Sequence, residues 1–366
     1  MVESGPKCSV HPKALDRDGS VTGSILLVGN PTAQSGKAAE RIRHSLEAMR
    51  SRGWSAHVME TLPSGRTVGA LRERLDEDEG IEVVVYLGGD GTFAEVAKGI
   101  LAAKRKRLLG MLPSGTANDQ GKSFGVSAAR GALARNLDVI AARHTTLLDV
   151  GKVGRIGLDG RVDDLNHVFH SVGWGMQSDI LQQRNQDREA VKGFPLLSML
   201  YRDQLVYAGA AFGKLMESYV EPIKFDAHVR VDGNEHHLQG LTDLVINATS
   251  VYGGMWVLDR EAEPDDGRFE LVPVHGRREW ASKALRDLAQ VPLWEEHLAA
   301  FGVKHRDGFS GGDFDVELVR IGEDEVSSQV DGEEWVSGSR FRLSVLRQEL
   351  PIITPADWVP PWRPPG

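Results

Sequence analysis

The sequence predicts an α/β domain built on a parallel, doubly wound sheet, followed by a mainly antiparallel β half. Three patterns carry that reading. Apolar runs without polar alternation, above all Val83-Val84-Val85-Tyr86-Leu87, read as strands buried on both faces. Between such runs lie segments with apolar residues three and four apart, so strand, helix and strand repeat. After about Asp149 the runs alternate in polarity and are separated by turns.

The first strand is Ser24 to Val28, ending in Gly29-Asn30-Pro31. A helix is expected from Gly36 to about Arg52, with Ile42, Leu46 and Met49 forming its buried stripe. Ala56 to Met59 reads as a second strand and Val68 to Leu75 as a second helix. The strand Val83 to Leu87 leads through Gly88-Gly89-Asp90-Gly91-Thr92 into a helix from Phe93 to Ala103, and Leu108 to Leu112 is the next strand. In the second half, strands are expected at His167 to Val172, Phe225 to Val231, Leu241 to Ile246, Phe269 to Val274 and Phe341 to Leu346. A helix is expected over Glu279 to Ala300, interrupted by Pro292. Five prolines between Pro355 and Gly366 exclude helix or sheet interior there and predict an extended tail.

At 366 residues and 41% hydrophobic, the chain is long enough for two cores. Its net charge of −9 argues against a broad basic surface for nucleic acid. The single cysteine, Cys8, excludes an intramolecular disulfide and a cysteine-rich zinc site, and fits a reducing cytoplasm. The first twenty residues lack the apolar core of a secretory signal. The apolar-leaning stretch from Phe194 to Val220 is broken by Arg202, Asp203, Lys214 and Glu217, too polar for a span of roughly 20 apolar residues. Any membrane contact is expected to be peripheral. The twelve histidines show no metal spacing and are assigned no role.

Gly88 to Thr92 sits between a buried strand and a helix. It is either a tight turn capped by Asp90 or a phosphate cradle, in which backbone amides and the helix N-terminus meet an anion. It is neither a Walker loop nor a dinucleotide fingerprint. Leu112-Pro113-Ser114-Gly115-Thr116-Ala117-Asn118-Asp119 follows the next strand, so in a parallel sheet both loops open on one carboxyl edge. Asn30-Pro31 ends the first strand on that same edge, with Lys37 either a phosphate counter-charge or a solvated lysine of the first helical turn.

Asn30-Pro31, the Gly-Gly-Asp-Gly-Thr run with Glu95 after it, and Leu-Pro-Ser-Gly-Thr-Ala-Asn-Asp together resemble the nucleotide-site motifs of the diacylglycerol kinase catalytic family. That family also includes sphingosine and ceramide kinases. The resemblance continues through Leu148-Asp149, Val172-Gly173-Trp174-Gly175, Asn247, Tyr252-Gly253-Gly254, Asp265-Asp266-Gly267 and Val330-Asp331-Gly332-Glu333. It implies a nucleotide domain related to that of NAD kinases, then a β-sandwich domain, with the active site in the cleft between them. It assigns Gly88, Gly89, Gly91 and Thr92 to the nucleotide phosphates and Asp90 to the magnesium-nucleotide. Further nucleotide-site positions are Asn30, Lys37, Thr61, Glu95, Gly115, Thr116 and Asn118. The matching Asp-Gly-Glu of the family supplies a general base, which falls on Glu333, where the residues alone read as a hairpin turn. In bacterial soluble members the segment matching Asp265-Asp266-Gly267 holds a magnesium ion, which maps to the carboxylate of Asp266 and the carbonyls of Glu263 and Arg268. Asp259 stands where a proline is common.

The domains expected are then a tail over 1–22, a nucleotide-binding α/β domain over 23–150 and a β-sandwich acceptor domain over 151–337. Residues 338–352 form a late strand open to returning to the first domain, and 353–366 a Pro-rich tail. The function implied is an ATP-dependent lipid kinase using ATP and Mg2+, cytoplasmic and peripheral to a membrane, acting on diacylglycerol. Two alternatives stand beside it: a kinase of a sphingoid base or ceramide, since the acceptor pocket falls in the poorly matched Gln177 to Val220 region, and a non-catalytic nucleotide or lipid sensor. No nucleic-acid partner is expected, and a homodimer is left open.

Overall fold

The computed structural model describes residues 23–129, 131–179, 181, 224–253, 256–257, 262–276, 308–320 and 325–360. The expected N-terminal tail, the helix over 279–300, most of the 177–220 acceptor region and the last six residues lie outside these.

The first half alternates β1 (Ser24–Gly29), α1 (Lys37–Ser51), β2 (Ser55–Glu60), α2 (Arg66–Glu77), β3 (Ile81–Gly88), α3 (Asp90–Ala102) and β4 (Leu108–Pro113). Two short helices follow, α4 (Asp119–Ser123) and α5 (Leu133–Ala142). The strands pair in parallel in the order β2-β1-β3-β4. Alternate residues of each central strand serve opposite cores, which is why these runs lack polar alternation. Leu26, Val28, Val84 and Tyr86 pack toward α2 and α3. Ile25, Leu27, Val83, Val85 and Leu87 pack toward α1 and α5 with Ile42, Met49 and Leu137. Helix α5 has no counterpart in the sequence expectations, although Leu133, Leu137 and Ile140 carry the helical spacing.

The second half contains β5 (Thr145–Ile156), β6 (Val162–Val168), β7 (Ser171–Gly175), β8 (Phe225–Val231), β9 (Asn234–Leu241), β10 (Asp243–Asn247), β11 (Val251–Tyr252) and β12 (Trp256–Val257). It continues through β13 (Phe269–Val274), β14 (Phe309–Gly311), β15 (Asp313–Arg320), β16 (Ser328–Val330), β17 (Glu333–Glu334) and β18 (Arg340–Ile353). Two expected strands are divided. The run His167 to Val172 breaks at Phe169-His170 between β6 and β7, and Leu241 to Ile246 breaks at Thr242 between β9 and β10. At the first break the N–H groups of Phe169 and His170 are taken by the buried carboxylate of Asp331, and at the second the Thr242 N–H donates to the carbonyl of Val274 at 2.8 Å.

Strand β18 is longer than the sequence pattern indicated, because it is shared. Its first part pairs antiparallel with β15 and β5, and Ile352 near its end lies beside Leu109 of β4 in parallel. One ten-stranded sheet therefore runs through both halves. Its antiparallel wing (β8, β15, β18) faces a six-stranded antiparallel sheet in the order β14-β13-β10-β7-β16-β17. Phe225, Val229, Phe314, Val316 and Phe341 from the wing interleave with Val172, Trp174, Leu244, Ile246, Phe269 and Leu271 from the second sheet, as sandwich packing requires. The fold is thus the expected combination of a parallel α/β domain and an antiparallel sandwich.

Trp174 is core, tilted against Phe341 with ring centres 5.2 Å apart. The expected extended tail is anchored at its start. Trp358 donates to the carbonyl of Ser123 at 3.3 Å, and its ring covers Gly125, where any side chain would collide with it.

Leu350, Ile352 and Ile353 are fully buried and complete both cores of the first half. Ile352→Ala should therefore destabilise that half by about 2–5 kcal/mol, the range for emptying a buried aliphatic site, as read by urea denaturation.

Candidate active site

Connection β1-α1-β2 runs to one side of β1, and β2-α2-β3 returns to the other. The strand order thus reverses between β1 and β3, and a crevice opens at their carboxyl ends. Gly29-Asn30 and Gly88-Gly89 border it. Asn30 turns its carboxamide back on its own loop, accepting from the backbone N–H and hydroxyl of Thr32 at 3.0 and 2.8 Å. Lys37 opens α1 and is exposed. Thr61 follows β2, its N–H bonded to the carbonyl of Gly29 at 3.0 Å.

The two glycine loops touch. Ser114 N–H donates to the carbonyl of Gly88 at 2.7 Å, and a Cβ built on Gly115 would stand 2.4 Å from the Cα of Gly89. That separation is impossible for a side chain, so Gly115 is required by backbone approach rather than by dihedral freedom, while a Cβ on Gly89 would stand 3.2 Å from the Gly115 Cα. Thr92 folds its side chain over Gly88. Asn118 holds the second loop from within, accepting from Gly115 N–H and donating to Gly115 carbonyl, both at 2.7 Å, with its own φ at 54°. Thr116 is left exposed at the loop tip, and Glu95 lies half-buried on α3.

Asp90 joins the loops electrostatically. One carboxylate oxygen accepts the N–H of Asn118 at 2.9 Å and the other that of Gln120 at 3.4 Å. A carboxylate oxygen can accept more than one bond, and such oxygens suit a hard divalent cation.

Glu333 comes from the other sheet. The hairpin Val330–Glu333 sets Asp331 at φ 51° and Gly332 at φ 79°, and it turns Glu333 toward the first loop. A Cβ on Gly91 would stand 3.5 Å from the Glu333 Oε1, so an exposed carboxylate of the antiparallel half lies against the first turn of α3. The turn is held by Asp331, whose buried carboxylate accepts the N–H groups of Phe169, His170 and Ser171 at 3.2, 2.8 and 3.1 Å. Burial raises the Asp331 pKa; the neighbouring His170 and the three N–H groups pull it down.

Sequence reasoning missed His170. It is buried where the halves meet, its Nε2 at 2.7 Å from the carbonyl of Val251 and 3.4 Å from Asp119, and its ring is stacked on Tyr252. Gln120 was missed too, a fully buried amide whose Nε2 donates to the carbonyl of Phe169 at 2.7 Å. The available signal was position alone, immediately after the second loop and within the strand break before Ser171.

The three residues expected at a second metal sit in the turn before β13. Asp266 accepts the N–H of Arg268 at 2.9 Å. The Arg268 guanidinium is turned toward Ser310 and Asp232. Beside them Asp149, fully buried, accepts the N–H groups of Gly267 and Gln348 and is raised in pKa by burial, with Asp266 and Asp265 adding to the shift. No cluster of three or more acidic, histidine or cysteine side chains is formed among the described residues. A cation here would be held by carbonyls with Asp266, which is compatible with hard-ion chemistry.

Two touching glycine loops of the parallel half and a carboxylate of the antiparallel half thus border one crevice. Residues 24–153 match the diacylglycerol kinase catalytic domain. Diacylglycerol kinases of Staphylococcus carnosus (strain TM300) and Staphylococcus aureus (strain MRSA252) are each 25% identical to the chain, over 68% of its length and 71% and 69% of theirs. A crystal structure of a diacylglycerol kinase from Bacillus anthracis str. Sterne shares the fold, with a TM-score of 0.62 at 17% identity over 91% of this chain and 97% of that one. Residues 24–153 thus carry the likeness to a diacylglycerol kinase catalytic domain, and these relatives support a lipid kinase.

Two outcomes follow from the geometry. Gly115→Ala forces the loops apart, and overpacking of about 1–3 kcal/mol should weaken nucleotide binding by calorimetry while the sandwich half stays folded. Because burial raises Asp149 above its unfolded value, its contribution to stability is full at low pH and is lost as pH rises through the folded pKa. In metal-free buffer, Asp149→Asn should flatten the fall in Tm between mildly acidic and neutral pH.

Proposed function

We propose that the chain transfers the γ-phosphoryl group of ATP to the free hydroxyl of a diacylglycerol, with Glu333 as general base. The observation that carries this is the approach of Glu333 to Gly91, which brings a proton acceptor from one half to the phosphate-binding turn of the other. The amides of Gly88 to Thr92 and the N-terminus of α3 hold the phosphates. Asn30, Lys37, Thr61, Glu95, Gly115, Thr116 and Asn118 border the nucleotide, with Lys37 supplying positive charge. Asp90 holds Mg2+, which screens the phosphate charge when bound.

Glu333 accepts the proton as the acceptor O–H bond breaks. The freed oxygen then forms its bond to the γ-phosphorus, and ADP departs with the electrons of the broken P–O bond. Its exposure leaves its oxygens open to an incoming hydroxyl. A second Mg2+ bound by Asp266 with the carbonyls of Glu263 and Arg268 would fasten the turn beside Asp149, remote from the reacting atoms. Among the described residues no helix is long and apolar enough to cross a membrane. A cytoplasmic enzyme meeting its lipid at a membrane surface suits this reading.

Glu333→Gln keeps size and hydrogen bonding but cannot take the proton. With labelled ATP and diacylglycerol in mixed micelles, turnover should fall by roughly 10²–10⁴-fold at unchanged ATP affinity. Near-normal turnover would remove Glu333 from the role.

A further inference from the structure

We infer that Gln120 is a positioning residue that holds the Glu333 hairpin in register with the nucleotide loops. This rests on the base role proposed for Glu333. Hydrogen bonds and short backbone segments together connect the two carboxylates of the site. Gln120 N–H donates to Asp90 at 3.4 Å, and its side-chain Nε2 donates across the seam to the carbonyl of Phe169 at 2.7 Å. The N–H of Phe169, with those of His170 and Ser171, donates to Asp331. Asp331 returns its own N–H to the carbonyl of Ser171 at 2.8 Å, and two residues later Glu333 lies against Gly91, next to Asp90. The path closes on itself, so a shift of Phe169 moves the hairpin relative to the cradle.

The chemistry of Gln120 favours positioning over packing. The Phe169 carbonyl can only accept, so the amide nitrogen must face it. The amide oxygen then has no hydrogen-bond partner, although the residue is 1% exposed. An apolar side chain of the same volume would remove the unmatched amide oxygen, but it would leave the Phe169 carbonyl without its donor. What an apolar residue cannot do is tie α4 to the strand break at Phe169. Phe169 is itself fully buried, edge-on to Phe93 of α3 with ring centres 5.8 Å apart, so packing sets its depth while Gln120 fixes its backbone.

Gln120→Met preserves volume and removes the donor. Because the Phe169 carbonyl loses its donor, a lower Tm is expected in the variant, and the positioning role is read from local exchange and from kinetics instead. The first readout needs no acceptor lipid: amide hydrogen exchange over 168–172 and 329–334 should accelerate in the variant. Unchanged exchange in both segments overturns the inference.

The second readout is a double-mutant cycle with ATP and diacylglycerol. Gln120→Met alone should reduce kcat by about ten- to a hundred-fold with the KM for ATP unchanged. In the Glu333→Gln background it should cost nothing further, because it acts through that carboxylate. Losses that multiply in the double variant overturn the inference. A fully active Glu333→Gln enzyme would instead overturn the base role, and the exchange data would still judge the link. If Gln120→Met does not fold, Gln120→Leu also lacks the donor, and the same exchange and kcat outcomes decide.

Discussion

One strand ties the two halves into a single working body. Strand β18 is hydrogen-bonded to β15 and β5 over its first part and reaches β4 at its end, so the parallel sheet and the sandwich share backbone rather than only side-chain contacts. A crevice whose walls come from different domains usually opens and closes about a linker. Here Gly88 to Thr92 belong to the ten-stranded sheet, and the sheet bearing Glu333 packs face to face on the antiparallel wing of that same sheet, which limits hinge motion and keeps a carboxylate near the first glycine loop.

Buried acids stand at the seams of this arrangement. Asp331 organises the break between β6 and β7, and Asp149 holds Gly267 and Gln348 where β18 is bulged against β5. Each is raised in pKa by burial, and each is offset by backbone N–H groups that the irregular chain leaves without a ladder partner. Irregular backbone at a domain junction needs acceptors of this kind. Their positions beside the crevice and beside the acidic turn follow from where the strands must break.

The parallel half was legible because its evidence is local. Runs such as Val83 to Leu87, the helical stripe of Ile42, Leu46 and Met49, and loops at strand ends all lie within a few residues of one another. The adjacency of the two glycine loops followed from parallel topology. The residues that join the halves were not legible, because their meaning depends on pairings 49 to 162 residues apart. Asp331 looks like a hairpin aspartate until its three donors are seen, and His170 and Gln120 carry no motif. The length of β18 was hidden for the same reason, since its bulge beside Leu346 interrupts the alternation that marks a strand.

The sharing of β18 also has a kinetic side. Strand β4 cannot acquire its outer neighbour until the chain has grown through the whole sandwich, so the parallel half leaves the ribosome with an open edge. Contacts this distant in sequence fold slowly and expose apolar surface in the interval. The buried side chains of Leu350, Ile352 and Ile353 that finish the first core are among the last to arrive. A truncated or stalled chain would therefore present Leu109 and Met111 beside an unpaired strand, a surface suited to chaperones or to association with another unfinished copy.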